Sequence, residues 1–294
     1  MIIMICAAST TVSSAQFNVV PSGKKLILGK DTLCFHYDLR AHDTLRYKVE
    51  ANDSINVENG QAFSKRRTEI VEVTCDSVSV DSLMHLSMKL VSARELHIKG
   101  ADTTVKTTSQ WIGRRHRIVI DKLGHRISSS SDNDSVAGIA PGGTMQPMLI
   151  PIIDSSCGRQ GQSWLSEGTV ALVENAIPNP ILKQQNFWRV VDHHDTLGRK
   201  ASILQYTQTG VGAVTLKTRD VQIETMCVVA GYGRLMFDRE WNVIIHQYAT
   251  VENKFTMKLL SGTDVKGRHL TAQNVTLIEM ISRDPSRRWT LSPK

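Results

Sequence analysis

His193-His194-Asp195 is the densest group of potential metal ligands in the chain. Neighbouring residues of a strand point to opposite faces, so the two imidazoles do not converge on one ion unless a turn bends them together. They are expected as exposed turn histidines rather than a metal site. Cys157, followed by Gly158, offers a thiol nucleophile with His193 or His194 as base. No third residue of recognisable spacing orients such a pair. Gly158-Arg159-Gln160-Gly161 and Gly210-Val211-Gly212 are too short for a phosphate-binding loop, and no helical pattern follows them. The Gly-x-Ser-x-Gly turn of hydrolases is missing. The sequence therefore points away from an enzyme, and no catalytic residue, metal or cofactor is assigned.

The elements around these residues alternate with period two. Leu45, Tyr47, Val49 and Ala51 share one parity against Arg46, Lys48 and Glu50; Leu86, Met88 and Leu90 do so against His85, Ser87 and Lys89. Trp241, Val243, Ile245, Ala249 and Val251 form a third such stripe. This is the pattern of antiparallel sheet with one face on a core and one in water. Helical periodicity is nearly absent beyond the first residues. Trp111, Trp164, Trp188 and Trp241 read as core anchors. Aromatic residues make up 5% of the chain, and the strands show no interleaving of aromatic with Arg, so nucleic acid is not an expected partner.

Asp-Thr/Ser-Leu occurs at 31–33, 43–45, 81–83 and 195–197. Asp and hydroxyl side chains bond their own backbone in tight turns, and Leu then opens the next strand, so these strings mark turns. Markers also recur at a longer interval, with offsets of 119 for Arg40/Arg159, 114 for Asp81/Asp195 and 117 for Asp121/Asp238. Such near-constant spacing predicts a tandem duplication. The fold expected is all-β: two similar curved antiparallel meanders, half-barrel or clam-like, with few short helices. The expected layout is a signal peptide at 1–15, a lead-in at 16–33, and a first β-repeat at 34–130. A junction at 131–157, a second β-repeat at 158–282 and a basic tail at 283–294 follow. The junction holds the apolar, proline-containing run Met145 to Ile153, which must cover something. It is either a plug for a sheet edge or seam, or a lid over an apolar cavity.

The N-terminal run Ile2 to Ala8, followed by Ser13 and Ala15, reads as a secretory signal peptide cut after Ala15, although no Lys or Arg precedes it. It is too short to span a bilayer, and no other stretch is long enough. Cys34, Cys75, Cys157 and Cys227 then allow three pairings, or none. The net charge of +7 suits an anionic envelope surface.

Asp43-Thr44-Leu45-Arg46-Tyr47, the apolar junction ending near Asp154, the Gly161-x-Ser163-Trp164 opening and Asp195-Thr196-Leu197-Gly198 together resemble a family of exported bacterial β-proteins. That family is distantly similar to the periplasmic lipoprotein carriers of the LolA/LolB type. His42 stands where the family usually has Gly, and Gln162 where it usually has Asp. The resemblance implies curved sheets with an apolar concave face and carries over no catalytic residue. The expected function is non-enzymatic binding or carriage of an apolar ligand or lipid, in a secreted or periplasmic setting. Met145, Met148, Leu149, Ile150, Ile152, Ile153, Met88 and Trp164 would border the cavity. The alternative is an envelope scaffold or protein-interaction module.

Overall fold

A computed structural model describes residues 33–58, 60, 62–107, 112–131, 149–153, 157–171, 181–196, 198–217, 222–261 and 264–284. All belong to one unit, Thr32–Lys294. The predicted signal peptide, Met145 and Met148 lie outside the described residues.

The protein is all-β. The strands in chain order are β1 (Leu33–Cys34), β2 (Thr44–Val57), β3 (Phe63–Val78), β4 (Met84–Lys99), β5 (Asp102–Lys106), β6 (Arg115–Ile120) and β7 (Arg126–Ser131). After the junction come β8 (Cys157–Gly158), β9 (Ser163–Ala171), β10 (Ile181–Thr196), β11 (Arg199–Lys217), β12 (Gln222–Asp238), β13 (Val243–Ser261) and β14 (Asp264–Asp284). None of the described residues is helical, so the few short helices expected are not among them. Twelve strands form one open antiparallel sheet, ordered β7-β6-β4-β3-β2-β14-β13-β12-β11-β10-β9, with β5 beside β4. The two meanders are thus one continuous surface, joined where β14, the last of the described strands, pairs with β2. Arg283 and Asp284, placed in a tail by their sequence, close β14 instead.

The meanders repeat the same local hydrogen bonding. Before β2, the Asp43 amide donates to the Arg40 carbonyl, and the Arg40 amide donates to Asp43 Oδ2. Before β9, Gln162 and Arg159 make the same pair of bonds, with Gln162 Oε1 as the side-chain acceptor. The His42 amide then donates to Cys75 O, and the Gly161 amide to Val190 O. The register slips beyond those carbonyls, at Cys75/Ser77 in β3 and Val190/Asp192 in β10. A second bulge lies opposite Val119/Ile120, where Ile127 of β7 is left out of the pairing, and opposite Met236/Phe237, where Ile245 of β13 is. Asp121 Oδ1 accepts from the Leu123 amide, and Asp238 Oδ1 from the Glu240 amide. In the first hairpin turn Ser82 has φ 62° and in its counterpart Gly198 has φ 71°, which aligns Ser82, not Asp81, with the second copy's turn.

Alternation sends one set of side chains to a buried inner face. On β2 these are Leu45, Tyr47, Val49, Ala51, Asp53 and Ile55. Two short segments lie on that face near the strand-joining turns. In 35–39, Phe35, Tyr37 and Leu39 are buried; in 149–153, so are Leu149, Ile150, Ile152 and Ile153. The Tyr37 amide donates to Lys122 O and the Ile153 amide to Leu123 O. The Tyr37 hydroxyl reaches Pro151 O at 2.9 Å. A disulfide between Cys34 and Cys157 ties the two straps, through the β1–β8 pair. Cys75 and Cys227 are free and buried.

His42 adopts φ 72° where the second copy has Gly161 at φ 80°. A left-handed backbone costs a non-glycine residue about 1–2 kcal/mol. His42→Gly is therefore expected to raise the denaturation midpoint, and Gly161→Ala to lower it by about 1 kcal/mol of stability. Urea unfolding of the two variants checks both signs.

Candidate functional site

Six of the eight predicted border residues come together where the 149–153 strap packs on the sheet. Leu149, Ile150, Ile153 and Met88 are buried members of one core, Ile152 is buried beside it, and Trp164 packs against it half-buried. Trp164 Nε1 donates to Ile153 O at 2.7 Å, and Ser166 Oγ donates to Ile152 O at 3.1 Å. Aromatic rings complete the packing: Phe35 stacks on Trp164 at 6.0 Å and meets Phe237 edge-on at 5.7 Å. Trp188 lies 4.8 Å from Tyr206. Gly233 lets the Tyr206 ring cross its strand, since a Cβ there would sit 2.6 Å from the phenolic oxygen. These residues are the covered core of the sheet. Each fully buried Leu or Ile side chain contributes about 1.5–3 kcal/mol.

Beyond the straps the same inner face mixes polar groups with a second, smaller apolar cluster of Cys227, Val229 and Val251. Across the register, Ser166 faces Asn186, Asn186 faces Gln208, and Asn274 faces Asp53. All five are buried. The centre of the β2–β3 end is Arg67, whose Nε donates to Asp53 Oδ2 at 2.8 Å and Nη1 to Glu69 Oε1 at 3.4 Å. Asn274 Nδ2 donates to Asp53 Oδ1 at 2.5 Å. Burial opposes the Arg67 charge, but Asp53 and then Glu69 outweigh it and hold the guanidinium protonated. Burial pushes the Glu69 carboxyl up, while Arg67 pulls it back. Parity in the sequence carried this signal: Arg67 and Glu69 share the stripe of Val71, Val73 and Cys75.

The chemically suggestive residues are engaged structurally. Cys157 is in the disulfide and is no nucleophile. Burial pushes the Cys75 thiol up to about 12 and the Cys227 thiol to about 11, so both stay protonated at neutral pH. His193 is not an exposed turn residue: it stacks on Phe35 at 6.3 Å, with Nδ1 2.8 Å from Ser202 Oγ. Among the described residues no group of three or more His, Cys, Asp or Glu is arranged to hold a metal ion. Asp43 is more than a turn marker. It is buried and accepts from Arg283 Nη2 at 3.0 Å. Arg283 and Arg199 both lie over Trp241, at 4.7 and 3.3 Å, and Arg199 pairs with the buried Asp238 at 3.0 Å.

The outer face of the second meander is different. Leu165, Phe187, Val211, Met226, Val228, Tyr232 and Tyr248 are each more than two-fifths exposed on five adjacent strands. Phe187 and Arg189 share one face of β10, and Tyr232 and Arg234 one face of β12; all four are exposed. This corrects the expectation that no strand interleaves aromatic residues with Arg. The intervening Trp188 and Gly233 point inward and hid the pattern.

No protein-family model matches the chain, and no curated protein matches it.

Removing one partner of a buried charge network leaves the others uncompensated. Arg67→Met is expected to cost roughly 3–5 kcal/mol at pH 8 by chemical denaturation. The Glu69 carboxyl would then take up a proton at higher pH in the folded than in the unfolded chain. The loss should accordingly shrink as the pH falls through that raised value toward the ordinary carboxylate range.

Proposed function

We propose that the chain is an exported, non-enzymatic binding protein that works through the outer face of its second meander, in the manner of an envelope scaffold or interaction module. The observation that carries this is the exposed apolar surface formed by Leu165, Phe187, Tyr232, Val211, Val228 and Tyr248, beside a core filled by the straps. Large apolar side chains exposed together on one sheet face, here with polar residues between them, support an interaction surface. The Cys34–Cys157 disulfide supports export, because such bonds persist in oxidising compartments.

A second reading is carriage of an apolar ligand or lipid on the inner face. Its specific support is that the covering segments 35–39 and 149–153 are straps rather than strands of the large sheet, so they can be displaced without breaking a ladder. The resemblance to LolA/LolB-type carriers favours it too. Transfer would gain about 0.8 kcal/mol per buried methylene.

Oxidative footprinting separates the two. In the native envelope fraction, Phe187, Met226, Tyr232 and Tyr248 are expected to label several-fold less than in the purified protein. Equal labelling in both would remove the outer-face reading. Lipid recovered in stoichiometric amount from the purified chain by mass spectrometry would favour carriage instead.

A further inference from the structure

On the outer face, Phe187 and Tyr232 lie in one cross-strand row with Thr207 between them. Arg189 and Arg234 lie in the next row with Gln205 between them. Adjacent strands are about 4.8 Å apart, so each like pair is separated by about 10 Å. The surface therefore offers the same two-residue unit twice: a ring with a cation one row away. Hydroxyl and amide groups fill the space between the units. No ion-pair partner of Arg189 or Arg234 is found among the described residues.

We propose that this face binds an acidic polysaccharide lying across the strands. Sugar rings would stack on Phe187 and Tyr232, and carboxylate or sulfate groups would pair with Arg189 and Arg234. The proposal rests on the outer-face reading above and names its partner. Repetition of the unit matches a polymer of regular repeat, and the unpaired guanidiniums match its negative charge. Glu167 and Glu252 lie on the same face, two rows from the arginines, so a second copy of the chain is the rival occupant. A dimer in sedimentation without glycan that is lost in Phe187→Ala/Tyr232→Ala would overturn the proposal. A bilayer fits less well, because Gln205, Thr207 and Thr209 occupy the middle of the face and would have to leave water. A nucleic acid offers the same charge and stacking, but the disulfide points to a compartment where a glycan is the available polyanion.

The test uses the purified full chain with its disulfide intact, in affinity electrophoresis through gels containing polygalacturonate or neutral dextran. Retardation is expected with polygalacturonate and not with dextran. The variant pair Phe187→Ala/Tyr232→Ala keeps every charge, so binding by net charge alone would not change. Binding through stacked rings should fall at least about tenfold. Arg189→Gln/Arg234→Gln should weaken binding as much. Arg114→Gln/Arg115→Gln, which removes equal charge from exposed residues at the other end of the sheet, should leave it within about threefold. Circular dichroism melts show that the variants fold. Retardation indifferent to the aromatic pair overturns the proposal, as does no retardation at all. Tighter binding to phosphatidylglycerol vesicles or to an oligothymidylate overturns it as well. If polygalacturonate fails while the footprint on Phe187 and Tyr232 persists, the glycan is wrong and the binding face stands.

Discussion

An open sheet with one greasy face cannot leave that face in water. Everything else in this protein follows from how the chain covers it. Twelve antiparallel strands present a continuous inner stripe, including Leu45, Val49, Trp188, Leu204 and Phe237, and the sheet does not close on itself. The cover comes from the chain's own straps, 35–39 and 149–153. Each donates a backbone bond to the turn after β6, at Lys122 and Leu123, and the Cys34–Cys157 disulfide joins the chain leading into one to the chain leaving the other. Gly124 makes that anchorage possible. Its φ is 89°, and a Cβ there would stand 2.7 Å from Pro151 O.

Where the straps end, polar groups join the inner face beside a smaller apolar cluster of Cys227, Val229 and Val251. Ser166, Asn186, Gln208, Asn274, Asp53 and Arg67 continue the same inward parity with amides, hydroxyls and charges. Buried polar groups are tolerable only when they bond one another. The Arg67–Asp53–Asn274 contacts do this across the β3–β2–β14 junction. That junction is also where the first meander meets β14, the last of the described strands. A directional network there favours one register over a slip that would turn every side chain to the other face.

Much of this was legible in the residues. Alternation gave the strands, and Asp43 and Asp81 fell at strand boundaries as turn residues do, whereas Asp195 is paired within β10, one residue from its end. The recurrence of Arg40 at Arg159 and of Asp121 at Asp238 reappears as shared hydrogen bonds and bulges. The β14–β2 pairing was not legible, because no local pattern encodes which distant strand an edge will meet. Nor was the disulfide, since four cysteines leave several pairings open. The inward Asp53, Arg67 and Glu69 could have been found by extending the apolar parity through charged residues. The outer rings of Phe187 and Tyr232 were masked by inward neighbours.

Amide hydrogen exchange on the oxidised protein tests the covering of the inner face most directly. The amides of Tyr37 and Ile153, which donate to Lys122 O and Leu123 O, should exchange at least a hundredfold more slowly than an unstructured peptide, approaching the rates of inward strand amides such as Val190. Exchange of both at the unprotected rate, with the sheet amides still protected, would show that the straps do not cover the face and would contradict this account.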